Sequence, residues 1–157
     1  MTSVRDVLKA QIGVALHFYL CDLKASSAEL LASKPGGAHR SPADFSYESA
    51  LLTKMMAMRL RGEEPPAMDP SQGYPTAPEN CRTSEALAAE MQAAIGEVMA
   101  ALDNLDDEGL NATFEMWGRT WTKREMGSLV AMHLMYHDGQ LNYVQTAHGD
   151  LAVHWAD

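Results

Sequence analysis

Two histidines and one glutamate are the residues of this chain whose types and spacing could do chemistry. His133 and His137 stand four apart within the series Met126, Leu129, Val130, His133, His137, Leu141, Val144, which repeats with the period of an α-helix. Four residues advance a helix by about 400°, so the two rings lie roughly 40° apart on one face, one turn above the other. Such a pair can bring both imidazoles to one metal ion, or it can be two core histidines hydrogen-bonded separately. Glu48 comes three residues after Phe45 and four before Leu52, on an apolar face that continues through Met55, Met56 and Leu60. A carboxylate there either reaches the rim of the fold, pairs with a base, or joins the histidines. A His/His/Glu set is the economical account, because each group offsets the burial cost of the others. Three protein ligands with an open position fit Zn, Ni or Fe, and such a site activates water or thiolate.

Other motifs are absent. Leu134 follows His133 where a zinc-peptidase helix needs its general-base glutamate, so peptidase chemistry is a poor fit. No phosphate-binding glycine loop, dinucleotide fingerprint, serine-hydrolase elbow or calcium loop occurs. His17 could face the site from the first helix, although a surface or ordinary core place suits a lone histidine better. Asp44 could ligate or orient a ligand, yet its position in a first helical turn already accounts for it. Gln140, Tyr136 and Tyr143 read as packing residues, and the eleven methionines as an adaptable core.

The elements that must position these groups are helical. Ser3-x-x-Asp6 caps a first helix over Val4 to Lys24, and Ser26-x-x-Glu29 caps a short turn through Leu31. Ser41-Pro42-Ala43-Asp44 supplies a cap, a proline at the first position and an acid in the first turn of a helix to about Arg61. Gly62 to Cys81 holds five of the seven prolines and reads as a long surface loop that could rim a pocket. Thr83-Ser84-Glu85 opens a third long helix to about Leu102. Asp106 to Trp121 reads as irregular, with an extended piece at Thr113–Trp117. Thr122-x-x-Glu125 caps the last helix, which Gly149 stops after Ala147 or His148. The expected fold is all-α, a four-helix bundle.

Composition limits the function classes. The 157 residues, 46% apolar and 21% charged, suit one domain over 1–157 with its own core. A formal charge of -9 repels phosphate backbones and anionic lipid, which argues against nucleic-acid or membrane partners. Cys21 and Cys81 are too few for a disulfide framework and read as plain thiols. No export signal or membrane span is legible, so the expected location is the cytoplasm.

His133-Leu-Met-Tyr-His137-Asp-Gly139-Gln140-Leu141 resembles the H-x-x-x-H-x-G-Q-L ending of the DinB-like superfamily, which includes the YfiT-type metal-dependent proteins. Ser26–Lys34, Ser41–Gly62, Thr113–Trp121 and Thr122-x-x-Glu125 follow in the order of that family's remaining segments. The resemblance implies a four-helix bundle with a long crossover connection, usually a homodimer, holding a divalent metal, often Zn or Ni, on three histidines. Two carry over to His133 and His137. The third belongs on the second helix, where this chain has no histidine between Ser41 and Gly62. If Phe45-Ser46 matches the pair that opens that helix, the missing histidine falls near Thr53, and Glu48 would be a substitute from one turn or more away. Activities assigned in the family include S-transferases and isomerases that use low-molecular-weight thiols. The leading expectation is therefore a metal-dependent transferase joining such a thiol to a small electrophilic substrate. The alternatives are hydrolysis by metal-bound water, and a non-catalytic dimeric bundle that binds a metal or small ligand.

Overall fold

A computed structural model describes residues 2–156. Four long helices, α1 (Val4–Ala25), α3 (Pro42–Arg61), α4 (Ser84–Asp103) and α6 (Lys123–Ala147), form the bundle. Short helices α2 (Ala28–Ala32) and α5 (Asp107–Asn111), and a hairpin of β1 (Thr113–Met116) and β2 (Arg119–Thr122), lie in the connections. Helices α1 and α3 each pack on both α4 and α6. The chain therefore crosses the bundle diagonal twice, through 26–41 and again through 104–122, whereas the proline-rich segment 62–83 joins neighbours.

The helix starts follow the capping residues. Ser3 accepts from the Asp6 N–H while Asp6 accepts from the Ser3 N–H, and Thr122 with Glu125 repeats the arrangement at α6. Ser41 accepts from the Asp44 N–H, and Gly62 ends α3 in the left-handed region at φ 83°. The cap of α2 differs from expectation. Ser27, not Ser26, accepts from the Leu30 N–H. Ser26 turns inward and donates to the Asp22 carbonyl at 2.9 Å, which α6 requires because Gln145 donates to both groups.

The 104–122 segment is more ordered than irregular. Phe114 pairs with Trp121 and Met116 with Arg119 in an antiparallel register. Trp117 and Gly118, at φ 54° and 72°, make the two-residue turn. Two left-handed residues in succession match the right-handed strand twist, which keeps such a hairpin tight.

Ile12, Tyr19 and Leu23 of α1, Leu60 of α3, Met91 and Leu102 of α4, and Met126, Leu134 and Leu141 of α6 form the centre of the core. Helix α6 buries more than one stripe because α1 and α3 cover it from two sides. On the α1 side lie Leu134, Leu141 and a polar seam of Asp138, Asn142 and Gln145 facing Asp22. His133 is consequently half-buried at the edge of the stripe rather than at its centre, while His137 is fully enclosed. Across the core, the Tyr19 hydroxyl donates to Ser46 at 2.6 Å, tying α1 to α3. Among the described residues no helix is long and apolar enough to cross a membrane.

Candidate metal centre

The first turns of α3 and the middle of α6 meet at three side chains. Glu48, 4% exposed, points inward from α3, and its Oε2 lies 3.3 Å from His137 Nε2. His137 Nε2 lies in turn 3.2 Å from His133 Nε2. One ligand atom from each of the three falls within 4.8 Å of the other two. Bonds of about 2.0–2.1 Å arranged tetrahedrally place ligand atoms roughly 3.3 Å apart, so the donor set fits one small divalent ion.

Neighbours fix the orientation of each group. Gln140 presents Oε1 to His137 Nδ1 at 2.8 Å, while its Nε2 donates to the Tyr136 hydroxyl at 3.1 Å. Since a carbonyl oxygen only accepts, Nδ1 carries a proton, and Nε2, which faces Glu48 and His133, is the nitrogen that takes a second proton or a metal ion. Phe45 stacks on the His137 ring with 5.6 Å between centroids and 14° between planes, and Tyr136 closes on its edge at 5.0 Å. Ser49 Oγ stands 3.4 Å from His133 Nδ1. Arg40, in the turn before α3, donates to the same Glu48 Oε2 at 3.1 Å.

The electrostatics keep the donors available. Burial, and then the neighbouring His137, push His133 down to about 4, so its imidazole is neutral near pH 7. For Glu48 burial works in the opposite direction, but the hydrogen bonds and charges of His137 and Arg40 prevail and hold its carboxyl below the ordinary range. A carboxylate and two neutral rings directed at one point crowd their lone pairs together, an arrangement that a proton on His137 or a metal cation relieves.

The remaining candidates fall elsewhere. His17 is exposed on α1 beside Cys21 and does not join the group. Asp44 accepts from the Ala77 N–H at 3.0 Å and from Arg82 at 3.4 Å, pinning the long loop to α3. Its burial raises the carboxyl, but the Ser41 and Ala77 hydrogen bonds and the Arg82 charge bring it lower than normal. Thr53 is fully buried, and its hydroxyl has no hydrogen-bond partner among the described residues. Both cysteines are free thiols, Cys21 half-buried and Cys81 buried. Gln140, which reads in sequence as packing, instead hydrogen-bonds and orients the His137 ring; its place three residues after His137 was the available signal. Arg40 and Ser49 carry no such signal beyond proximity to Ser41 and Glu48.

A cavity of about 800 Å³ opens against Glu48 and His133, between α3, α6, the 62–83 loop and the hairpin. Its walls include Leu52, Met55, Met68, Met116 and Leu129. Tyr74 of the loop lies at its edge, with the Arg40 guanidinium 4.3 Å above the phenol ring.

Comparisons with known proteins agree with this architecture. Among proteins of curated function, none matches the sequence. A conserved protein of Enterococcus faecalis, known from a crystal structure, superposes with a TM-score of 0.71 at 14% identity, over 92% of this chain and 96% of its own. At that identity the likeness concerns the fold. The family model of the DinB superfamily matches residues 26–141, a span that includes Glu48, both histidines and Gln140, and the chain accordingly belongs to the DinB superfamily.

Proposed function

We propose that the protein is a divalent-metal-dependent enzyme in which Glu48, His133 and His137 hold the ion and a low-molecular-weight thiol is transferred to a small electrophile. The observation that supports this reading is the convergence of Glu48 Oε2 and two imidazole Nε2 atoms at 3.2–3.3 Å, beside a cavity large enough for a substrate. A zinc or nickel ion bound there would supply Lewis acidity, lowering the pKa of a coordinated thiol. The protein's own residues do the rest. Gln140 keeps the His137 proton on Nδ1 and its Nε2 free. Phe45 and Tyr136 hold that ring in plane and keep water from it. Arg40 orients Glu48 and offers positive charge at the site. The apolar walls of the cavity exclude solvent from the electrophile.

In this reading the protein works as a cytoplasmic homodimer. Neighbouring helices α1 and α6 leave Val7, Val14, Met132 and Met135 exposed, which is the kind of surface a second copy covers. Light scattering at micromolar concentration tests the dimer.

The chemistry is tested by purifying the chain without chelator, measuring bound metal, and following loss of a thiol mixed with a reactive electrophile. Metal-dependent thiol consumption is the expected result. Occupancy below about 0.2 equivalents after incubation with zinc or nickel at a pH where histidine is neutral removes the catalytic reading.

A further inference from the structure

Taking the metal reading of Glu48, His133 and His137 as given, we infer that the adjoining cavity receives a ligand with one anionic head and an extended apolar body. The head sits at the Glu48–His133 end, and the body runs between α3 and α6 toward the hairpin.

Charge selects the head. Glu48 is the only carboxylate of the metal group, and Arg40 already donates to its Oε2 at 3.1 Å, with the two side chains 5% and 24% exposed. The carboxylate's charge is therefore spent on the guanidinium. A divalent ion between Glu48 and two neutral imidazoles would leave two positive charges uncompensated in a half-dry site. Buried charge is costly without an opposite partner, and an anion in the open position provides one. A carboxylate and a thiolate share that chemistry.

The walls select the body. Beyond Glu48 and His133, the charged side chains lining the cavity are Arg59, Glu64 and Glu115. Arg59 and Glu64 pair with each other, and Glu115 accepts from the Thr120 hydroxyl at 2.5 Å. Only Glu115 has no basic partner among the described residues, and its negative charge disfavours a second anionic group on the ligand. Leu52, Met55, Met68, Met116 and Leu129 present flexible or aliphatic carbon, and methionine adapts to a chain of variable shape better than a rigid slot does. About 800 Å³ is in the range of cavities that enclose a small-molecule ligand.

Isothermal titration of the full-length, zinc-loaded protein with octanoate, acetate and octylammonium tests this. Octanoate should bind at least about 100-fold more tightly than acetate, since six more methylenes leave water. Octylammonium, equal in its carbon chain but opposite in charge, should bind no better than acetate. Arg40→Met should weaken octanoate about tenfold or more while tightening zinc, because it removes a like charge from the ion. Met116→Glu, whose half-buried side chain packs from the hairpin against the helical core, should bring octanoate down to acetate level with zinc uptake unchanged. Leu129→Trp, which fills the cavity from the opposite wall, gives the same result if the chain lies there. Zinc uptake with octanoate no tighter than acetate, or with octylammonium equal to octanoate, overturns the inference and leaves the metal reading standing. Failure to take up zinc in the same titration overturns both.

Discussion

His133 Nε2 and His137 Nε2 face each other at 3.2 Å from successive turns of α6, a hydrogen-bonding distance at which a proton or a cation between them is favoured over two facing lone pairs. Residue spacing brings the rings to one side of the helix, and Gln140 turns one of them so that its free nitrogen meets the other.

Metal should stabilise the fold through this pair. Added zinc at about 100 times its dissociation constant should raise stability by about 2.7 kcal/mol, visible as a higher melting temperature. His137→Ala should abolish the metal-induced rise. Equal melting shifts in treated and untreated protein would make His137 a packing residue only.

Gln140→Leu should lower metal affinity by about 10- to 100-fold without unfolding the protein, since half-buried Gln140 acts by fixing the His137 tautomer. Gln140→Glu, which preserves the acceptor, should retain most of the affinity. Competition against a chromogenic chelator measures both, and unchanged affinity in the leucine variant would refute the orienting role.

Acid should destabilise the metal-free protein earlier than its carboxylates alone require. The His133 pKa is depressed from 6.5 to about 4 by burial and by His137, so between those values the unfolded chain takes up a proton that the folded chain refuses. Stability contributed at this position is therefore complete above about 6.5 and is lost progressively as pH falls toward 4. Glu48, held low by His137 and Arg40 against its burial, adds a further loss below 4.5. Urea unfolding from pH 7 to 4 should show wild type losing stability relative to His133→Gln as the pH falls, a comparison in which the opposite contribution of Asp138 cancels.

The buried pair of Asp22 and Asp138 should act with the opposite sign. Burial and the adjoining Asp22 raise the Asp138 carboxyl, so the folded state retains a proton that the unfolded state gives up. Stability from this group is present below 3.8 and drains away as pH rises through its elevated folded value. Asp22 Oδ1 and Asp138 Oδ1 have no hydrogen-bond partner among the described residues, and a proton retained on Asp138 would give its carboxyl a donor there. Asp138→Asn should remove this loss, so that wild type declines relative to the variant between about pH 4 and 7 in denaturant titrations and runs parallel to it above; parallel curves across the lower range would deny the pairing.

The sequence was most informative where local chemistry decides. Caps at Ser3, Ser41, Thr83 and Thr122 mark helix starts because an unsatisfied N–H needs a nearby oxygen whatever the tertiary fold. The shared face of His133 and His137 was legible from helical spacing, whereas that spacing left open whether Glu48 turns inward or reaches the rim, which its contacts with His137 and Arg40 decide. What escaped depends on partners distant in sequence. Strand β2 forms because Arg119–Thr122 finds Thr113–Met116 across a two-residue turn, and no alternation in four residues announces it. The burial of Asp138 follows from α1 covering a second side of α6, beyond the arc that a single apolar stripe suggests. Arg40 lies outside any period and becomes relevant only when Glu48 is in place.

The stacking of Tyr74 on Arg40 has a mechanical corollary. One guanidinium is gripped from outside by a phenol of the proline-rich loop and from inside by the Glu48 carboxylate. On the proposed metal reading, displacement of that loop would pull a positive charge away from Glu48 and the two histidines, so that loop exchange or trimming, far from the imidazoles in sequence, would retune how strongly the site grips a cation.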